Sequence, residues 1–331
     1  MPQLVYSGRT ISCDKGQTVL DALLAESFVV PYSCKAGSCQ TCLLKCVYGR
    51  VPEDAKAGVK DTLLKQGYFL PCLCHPTENL FLQSSTDTEL FSTVTVRGKN
   101  FLSEKVCQIL VESALPLYYH AGQFVNLRNS QGVVRSYSLA SVPKLDKCLE
   151  FHVARYRNGS MSSWLHDSLE VGQTLDMSGP MGNCFYLPGN PSQDILLIGT
   201  GTGLAPLLGI VRDALATEHK GNLLLFHGSQ EKEGLYLHKE ITELARLYKN
   251  FYYYPCLSKE DASYPYKISR ADDLAFTTLS DLQGWRVFLC GSPPMVNGAK
   301  RKAFLLGAGL ADIYADPFEV KELRSEDRKQ S

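Results

Sequence analysis

The segment PYSCKAGSCQTC, residues 31–42, contains three cysteines in the spacing C-x4-C-x2-C. Cys72 follows Cys42 after 29 intervening residues, in YFLPCLC, residues 68–74. This is the ligand spacing of plant-type [2Fe–2S] clusters. One tight loop must deliver three thiolates and point backbone N–H groups at the sulfurs, and the small residues of this segment permit that close approach. The spacing predicts a cluster held by Cys34, Cys39, Cys42 and Cys72.

Two other interpretations of these cysteines are open. Structural zinc sites usually use two C-x2–4-C pairs, whereas this region has one C-x2-C pair, a C-x4-C step and a distant C-x-C. The cysteines could also be buried thiols that bind nothing. The choice between Cys72 and Cys74 as fourth ligand is open as well. Cys72 is the prediction, with Cys46 and Cys74 as non-ligand thiols.

Length and charge exclude several classes of protein. The chain has 331 residues with 34 Lys+Arg and 34 Asp+Glu, so two or three domains are expected, and no excess of positive charge points to nucleic acid or a membrane surface. No apolar run approaches the roughly 18–20 residues of a spanning helix. The N-terminus MPQLVYSGRT lacks signal-peptide features, which favours a cytoplasmic protein. Twelve cysteines in such a chain favour a metal site over disulfides.

The pattern of apolar residues changes twice along the chain. The first 85 or so residues combine short β-like runs with a helical segment at VLDALLAE, residues 19–26. Residues 90–187 alternate apolar and polar residues between Gly and Pro breaks, which is typical of an antiparallel β-barrel. From about residue 188, strands and helices alternate, which predicts a parallel sheet with helices on both faces. The polar stretch at 83–89 suits a linker.

The cysteine motif, together with GYFLPCLCHP at 67–76, resembles the N-terminal ferredoxin domain of bacterial oxygenase reductases, such as those of benzoate dioxygenase and soluble methane monooxygenase. Gln40 stands where relatives often carry glycine. The resemblance implies a multidomain fold. A β-grasp [2Fe–2S] ferredoxin (α+β) would occupy residues 1–86, a six-stranded antiparallel Greek-key FAD barrel 90–188, an α/β Rossmann-like NAD(P) domain 189–318, and a charged tail 319–331.

Two motifs in the barrel segment resemble those of the ferredoxin–NADP reductase superfamily. RSYSLAS, residues 135–141, is similar to the R-x-Y-S flavin signature. That likeness implies that Arg135 binds the flavin phosphate, that Tyr137 offers its ring to the isoalloxazine and that Ser138 lies near flavin N5. RNGSMSSWL, residues 157–165, resembles the phosphate-binding helix start of FAD-binding relatives. The predicted flavin residues are Arg135, Ser136, Tyr137, Ser138, Gly159, Met161, Ser162 and Ser163.

Two further motifs resemble the nicotinamide side of the superfamily. LLIGTGTGLAP, residues 196–206, combines a strand, a Gly-rich turn and a helix, the context in which such a turn binds a pyrophosphate. VFLCGSPPMV, residues 287–296, resembles the C-G-P-P-x-M motif, which implies that Cys290 lies by nicotinamide C4. An acidic residue after the second strand suits a free ribose 2′-hydroxyl, so NADH is expected over NADPH. The predicted nucleotide residues are Gly199, Gly201, Thr202, Gly203, Glu231, Cys290 and Gly291.

These motifs together predict that electrons pass from NADH through FAD to a [2Fe–2S] cluster and on to the terminal component, or the ferredoxin, of a multicomponent oxygenase. Ser138 and Cys290 are the residues expected closest to the reacting atoms. A deoxysugar-forming reductase of the CDP-6-deoxyglucoseen type would use the same electron path, and a module with decayed sites is a third hypothesis. A monomer that docks its partner transiently is expected. Phe318 is assigned either to flavin contact or to packing at the last strand.

Overall fold

The computed structural model describes residues 1–84, 90–259 and 268–319. Most of the predicted linker at 83–89 and of the predicted tail at 319–331 lies outside the described residues. Three separate sheets organise the described residues, and they fall within the three predicted ranges in chain order. In this part of the chain, no helix is both long and apolar enough to cross a lipid bilayer.

The first sheet is mixed and carries the cysteine segment between two of its strands. Val19, Leu20, Ala22 and Leu23 of its first helix are buried, and the Thr18 side chain caps that helix by accepting from the Asp21 N–H. The elements are β1 (Gln3–Tyr6), β2 (Arg9–Ser12), α1 (Val19–Ala25), β3 (Leu44–Tyr48), α2 (Asp61–Lys65), β4 (Tyr68–Phe69) and β5 (Leu80–Ser84). The strand order is β2-β1-β5-β3-β4, with β1 parallel to β5 and the other pairs antiparallel.

The elements of the second sheet are β6 (Ser92–Ser103), β7 (Val106–Ser113), β8 (Phe124–Arg128), β9 (Val134–Ser138), β10 (Leu149–Ala154), α3 (Ser160–Asp167) and β11 (Thr174–Met181). The sheet is antiparallel throughout and has six strands in the order β10-β7-β6-β11-β8-β9. A bridge between Leu139, directly after β9, and Phe151 of β10 joins the two edges of the sheet and closes it into a barrel. The predicted six-stranded barrel is confirmed.

The elements of the third sheet and its helices are β12 (Ile195–Thr200), α4 (Leu204–Ala216), β13 (Leu223–Ser229), α5 (His238–Leu247), β14 (Phe251–Leu257), α6 (Ala271–Thr278), β15 (Arg286–Gly291), α7 (Pro293–Leu305) and β16 (Ile313–Pro317). The sheet is parallel, in the order β14-β13-β12-β15-β16. Helices α4 and α5 pack on one face and α6 and α7 on the other, as predicted. The order in which strands are added reverses between β12 and β15, so the carboxyl ends of those strands form the crevice in which such sheets bind ligands.

Candidate functional site

The cysteine loop folds so that its backbone N–H groups point at sulfur. The N–H groups of Ala36 and Cys39 each donate to Cys34 Sγ at 3.3 Å, and the Cys34 N–H donates to Cys39 Sγ at 3.4 Å. Gly37 has φ +81, and a Cβ there would lie 2.4 Å from Leu73 Cδ1, so the loop requires glycine at this point. The loop thus has the inward N–H geometry that the sequence predicts for a cluster-binding segment.

The four predicted ligands form two thiol pairs, Cys34 with Cys39 and Cys42 with Cys72. A hydrogen bond from Cys34 lowers the pKa of Cys39 to about 5, and one from Cys42 lowers the pKa of Cys72. No group of three or more His, Cys, Asp or Glu in the described ranges is placed to hold a single metal ion. Two pairs of thiols are the donor set of a binuclear cluster, which has two protein ligands on each iron. The two thiol pairs therefore fit the predicted [2Fe–2S] cluster.

Cys74 lies apart from these pairs. It has no exposed surface, and burial raises the pKa of its thiol to about 12, with Cys46 and Cys13 as further contributors to the shift. These surroundings are those of a core thiol. They favour Cys72 as the fourth ligand, which stays a prediction.

A cleft of about 170 Å³ brings the cysteine loop, the barrel and the nucleotide turn together. Cys34, Cys39 and Thr202 all line it. It is also lined by residues of β9, of the start of α3, and of the end of β16 and the segment that follows. Motifs far apart in the chain therefore converge on one site.

The predicted flavin strand forms the wall of this cleft. Arg135, Ser136, Tyr137 and Ser138 all line it. Ser136 Oγ donates to Asn126 Oδ1 at 2.7 Å, and Ser138 Oγ donates to Asp316 Oδ2 at 3.4 Å. Both hydroxyls are therefore oriented by groups from outside β9.

The start of α3 supplies a second wall. Gly159, Met161 and Ser162 line the cleft, whereas Ser163 is not among its lining residues. Ser162 Oγ accepts from the Tyr156 N–H and donates to Gly159 O, both at 3.3 Å. A Cβ on Gly159 would lie 2.4 Å from that hydroxyl oxygen, so glycine is what lets the turn close. The N-terminal N–H groups of a helix that faces a cleft form a site suited to phosphate.

The predicted nucleotide turn and the loop after β15 contact each other closely. A Cβ on Gly203 would lie 2.3 Å from Cys290 O, and a Cβ on Gly291 would lie 2.5 Å from Thr200 Oγ1. The Ser292 N–H donates to Thr200 Oγ1 at 3.0 Å. These glycines thus hold the carboxyl ends of β12 and β15 together. Gly199 plays a similar part toward Leu207 of α4, and Gly201, with φ +55, has open space around it.

Two predicted nucleotide residues have other partners in the structure. Cys290 is fully buried and is not among the residues that line the cleft. Its Sγ lies 3.6 Å from Cys184 Sγ. Glu231 lies just beyond β13, where its carboxylate pairs with Lys105 Nζ at 2.8 Å and with Lys259 Nζ at 3.6 Å. The roles predicted for Cys290 and Glu231 stay predictions.

The structure adds residues that the sequence did not single out. Asp316 lines the cleft, and burial raises its pKa to about 6. Phe318, which the sequence did single out, lies two residues further on and lines the cleft too, and its N–H donates to Gly291 O at 2.7 Å. His152 of β10 also faces the cleft and is hydrogen-bonded to Glu150 and Tyr236. Asp316 could have been found from the sequence by its position two residues before Phe318. The alternation of apolar and polar residues along β10 does not distinguish His152 from its neighbours.

Models of three protein families match this chain. The 2Fe-2S iron-sulfur cluster binding domain matches residues 5–77, the oxidoreductase FAD-binding domain 94–186 and the oxidoreductase NAD-binding domain 197–301. The chain is similar to the reductase subunit of an aromatic O-demethylase from an Amycolatopsis species, with 35% identity over 90% of this chain and 92% of that one. It is also 29% identical to the electron transfer component of a xylene/toluene monooxygenase from Pseudomonas putida, over 92% of this chain and 89% of the other.

Solved structures agree with these matches. An Amycolatopsis cytochrome P450 reductase superposes with a TM-score of 0.68 at 31% identity and covers 96% of this chain and 99% of its own. The ferredoxin reductase of a carbazole 1,9a-dioxygenase superposes with a TM-score of 0.66 at 24% identity, over 96% and 98% of the two chains, which shows the shared fold.

Proposed function

The chain belongs to the oxygenase reductases with an N-terminal ferredoxin domain, within the ferredoxin–NADP reductase superfamily, and from this premise we propose that it supplies electrons to the terminal component of an oxygenase. It is an oxidoreductase, and electrons pass from NADH through FAD to the [2Fe–2S] cluster. When bound, FAD takes up a hydride from NADH and passes electrons on one at a time.

The chain's own residues bind and orient the cofactors. In this proposal, Arg135 and the N-terminal N–H groups of α3 hold the FAD phosphates. Tyr137 would pack on the isoalloxazine, and Ser138 is held in the cleft by its hydrogen bond to Asp316. Thr202 lines the same cleft and would be available to the nicotinamide. Cys34, Cys39, Cys42 and Cys72 hold the cluster, with the loop N–H groups donating to sulfur.

One observation carries this proposal. Cys34 and Cys39 of the cysteine loop line the same cleft as Tyr137 and Thr202. Two predicted cluster ligands, the flavin strand and the nucleotide turn thus meet without any large rearrangement of the chain. A path for electrons between them needs such direct proximity, and separate pockets would not provide it.

The acceptor is proposed as a terminal oxygenase or its ferredoxin. Support comes from the relatives, one named as the reductase subunit of an aromatic O-demethylase and the other as the electron transfer component of a xylene/toluene monooxygenase. Lys and Arg together equal Asp and Glu within residues 1–88, so composition points to no strongly charged docking patch on the ferredoxin domain. We place the protein in the cytoplasm, as a monomer. None of its twelve cysteines, all of which lie within the described residues, is paired in a disulfide, which suits a reducing compartment.

The test is a visible absorption spectrum of anaerobically purified protein, recorded before and after NADH and, separately, NADPH. We expect flavin bands over a broad iron–sulfur envelope, with both bleached faster by NADH. Bleaching of flavin alone would indicate a simple flavin reductase and would contradict the assignment of a cluster to these cysteines. A protein that reconstitutes neither cofactor would refute the proposal. Product formation by purified Rieske, diiron and P450 oxygenases, each supplied with this protein and NADH, then identifies the class of acceptor.

A further inference from the structure

Asn126 of β8 connects the cysteine loop to the flavin strand. Its amide Nδ2 donates to the backbone carbonyl of Cys39 at 2.8 Å, and its Oδ1 accepts from Ser136 Oγ at 2.7 Å. The Thr41 hydroxyl approaches the same Oδ1 at 3.5 Å. The side chain is only 1% exposed. A single buried amide is thus bonded on one side to a predicted cluster ligand and on the other to the predicted flavin motif.

An amide at this position is unusual for its strand. The neighbours Val125 and Leu127 are fully buried apolar residues of the barrel core, and Phe124 is also buried. A buried amide without partners costs about 1–3 kcal/mol, so its hydrogen bonds must be made for the fold to tolerate it. The partners of Asn126 come from two segments that lie outside β8, and its role is therefore to connect them.

Asn129 provides a comparison within the same barrel. It is also buried, at 3% exposure, and its Oδ1 accepts from the N–H groups of Gln131 and Val133. Those partners belong to its own turn between β8 and β9. Asn129 thus stabilises local backbone, whereas Asn126 spans from the barrel to the cysteine loop.

Both ends of the Asn126 connection lie at the cleft. Cys39 and Ser136 are lining residues, while Asn126 itself lies behind them and faces a second groove between the first sheet and the barrel. Asn126 therefore touches neither cofactor position directly. Its hydrogen bonds fix the separation of Cys39 and Ser136.

We propose that Asn126 is a positioning residue that holds the cluster loop at a fixed distance from the flavin strand and so sets the rate of electron transfer from flavin to cluster. The inference rests on the electron path proposed above and names the contact that makes its middle step efficient. We expect loss of the Asn126 bonds to slow this step about tenfold or more.

The experiment compares the holoenzyme with Asn126→Ala, Asn126→Leu and the control Asn129→Ala. Ferricyanide reduction by NADH measures flavin reduction, and stopped-flow bleaching of the iron–sulfur bands measures transfer to the cluster. Hydrogen–deuterium exchange of the peptide spanning residues 33–43 measures loop mobility independently of activity. In the two Asn126 variants we expect ferricyanide rates within about twofold of wild type, cluster bleaching slowed about tenfold or more, and faster exchange in the loop. The control should match wild type in all three measurements.

Three results would overturn the proposal. Cluster bleaching at the wild-type rate in both Asn126 variants would show that the contact does not control transfer. An equal fall in ferricyanide reduction and cluster bleaching would show a general structural role. Loss of the cluster from both variants, including the leucine variant that preserves side-chain volume, would assign Asn126 to cluster retention instead. Failure of the wild-type protein to bleach its own cluster with NADH would refute the electron path itself, and is recognised before any variant is examined.

Discussion

At the scale of single residues, the structure bears most directly on whether Cys72 or Cys74 is the fourth cluster ligand. Cys72 lies against Cys42, whereas Cys74 is in the core with a pKa raised to about 12 by burial. We expect Cys72→Ser to abolish the iron–sulfur absorption while flavin binding persists. Cys74→Ser should keep the cluster and lower stability by about 1–3 kcal/mol, because it buries a hydroxyl in an apolar site. Iron content and visible spectra check both variants, and the opposite pattern would make Cys74 the ligand.

Asp316 predicts a pH dependence of stability. Burial raises its pKa from 3.8 to about 6, so between these values the folded protein holds a proton that the unfolded chain releases. The stabilising contribution is complete below the unfolded pKa and is lost as pH rises through about 6. We expect Asp316→Asn to exceed wild type in apparent melting temperature by a few degrees near about pH 7.5, and by less near about pH 5. An advantage of equal size at both pH values would contradict this account of Asp316.

Sequence could identify residues whose chemistry depends on local spacing. The cysteine loop and the strand from Arg135 to Ser138 are contiguous motifs, and the structure brings both to the cleft. Asn126 and Asp316 could not be found in this way, because their partners lie 87 and 178 residues away along the chain. Gln40, noted as a departure, has φ +53 and donates from its side chain to Gly58 O at 2.6 Å, a bond that glycine would lack.

At the scale of elements, the turn between β12 and α4 depends on contact with the end of β15. A Cβ on Gly203 would lie 2.3 Å from Cys290 O, which is backbone and has little freedom to move. Gly203→Ala should therefore separate the two strand ends, raise the KM for NADH severalfold and destabilise the protein by about 1–3 kcal/mol. Steady-state kinetics and thermal melting measure these effects.

Gly298 of α7 is the matched control, because a Cβ there has nothing within 4 Å. Gly298→Ala should leave the KM unchanged and stabilise the helix by up to about 1 kcal/mol. A Gly203→Ala variant with an unchanged KM would show that the turn tolerates displacement from β15. The antiparallel second sheet and the parallel third sheet were predicted from periodicity, but this contact between strand ends was not, since periodicity says nothing about which loops meet.

At the scale of the whole molecule, the apolar cores of the three sheets differ in how they are connected to one another. The core of the first sheet consists of buried residues between Leu4 and Leu82, all from the ferredoxin segment. The barrel also has a core of its own, between Val94 and Met177. In addition, Val106, Cys184 and Tyr186 pack with residues of α4 and the parallel sheet. The ferredoxin segment therefore has separate packing, whereas the barrel and the nucleotide domain are joined by this additional apolar contact.

This division predicts how the chain can be cut. A fragment of residues 1–86 should fold and bind the cluster, and a fragment of 90–331 should bind FAD and reduce ferricyanide with NADH but fail to reduce cytochrome c. A cut near residue 188, between barrel and nucleotide domain, should destabilise the nucleotide-binding piece, because it removes Cys184 and Tyr186 from the core around α4. Expression, absorption spectra and circular dichroism of the fragments check these outcomes. A nucleotide-binding piece as stable alone as within the full chain would contradict this role of Cys184 and Tyr186.

The contrast between a separate ferredoxin core and a shared cleft has a consequence for protein engineering. Grafting a foreign ferredoxin domain onto this barrel would leave every core intact, so the chimera would fold and load its cofactors. Its loop, however, would meet Asn126 with a different backbone, and the gap to the flavin would widen. Reducing equivalents held up at the flavin would then escape to dioxygen as superoxide and hydrogen peroxide. The amount of hydrogen peroxide formed per NADH oxidised would therefore measure how well such a chimera couples its cofactors. The first change to make in a poorly coupled chimera would be a substitution at position 126 that restores a hydrogen bond to the grafted loop.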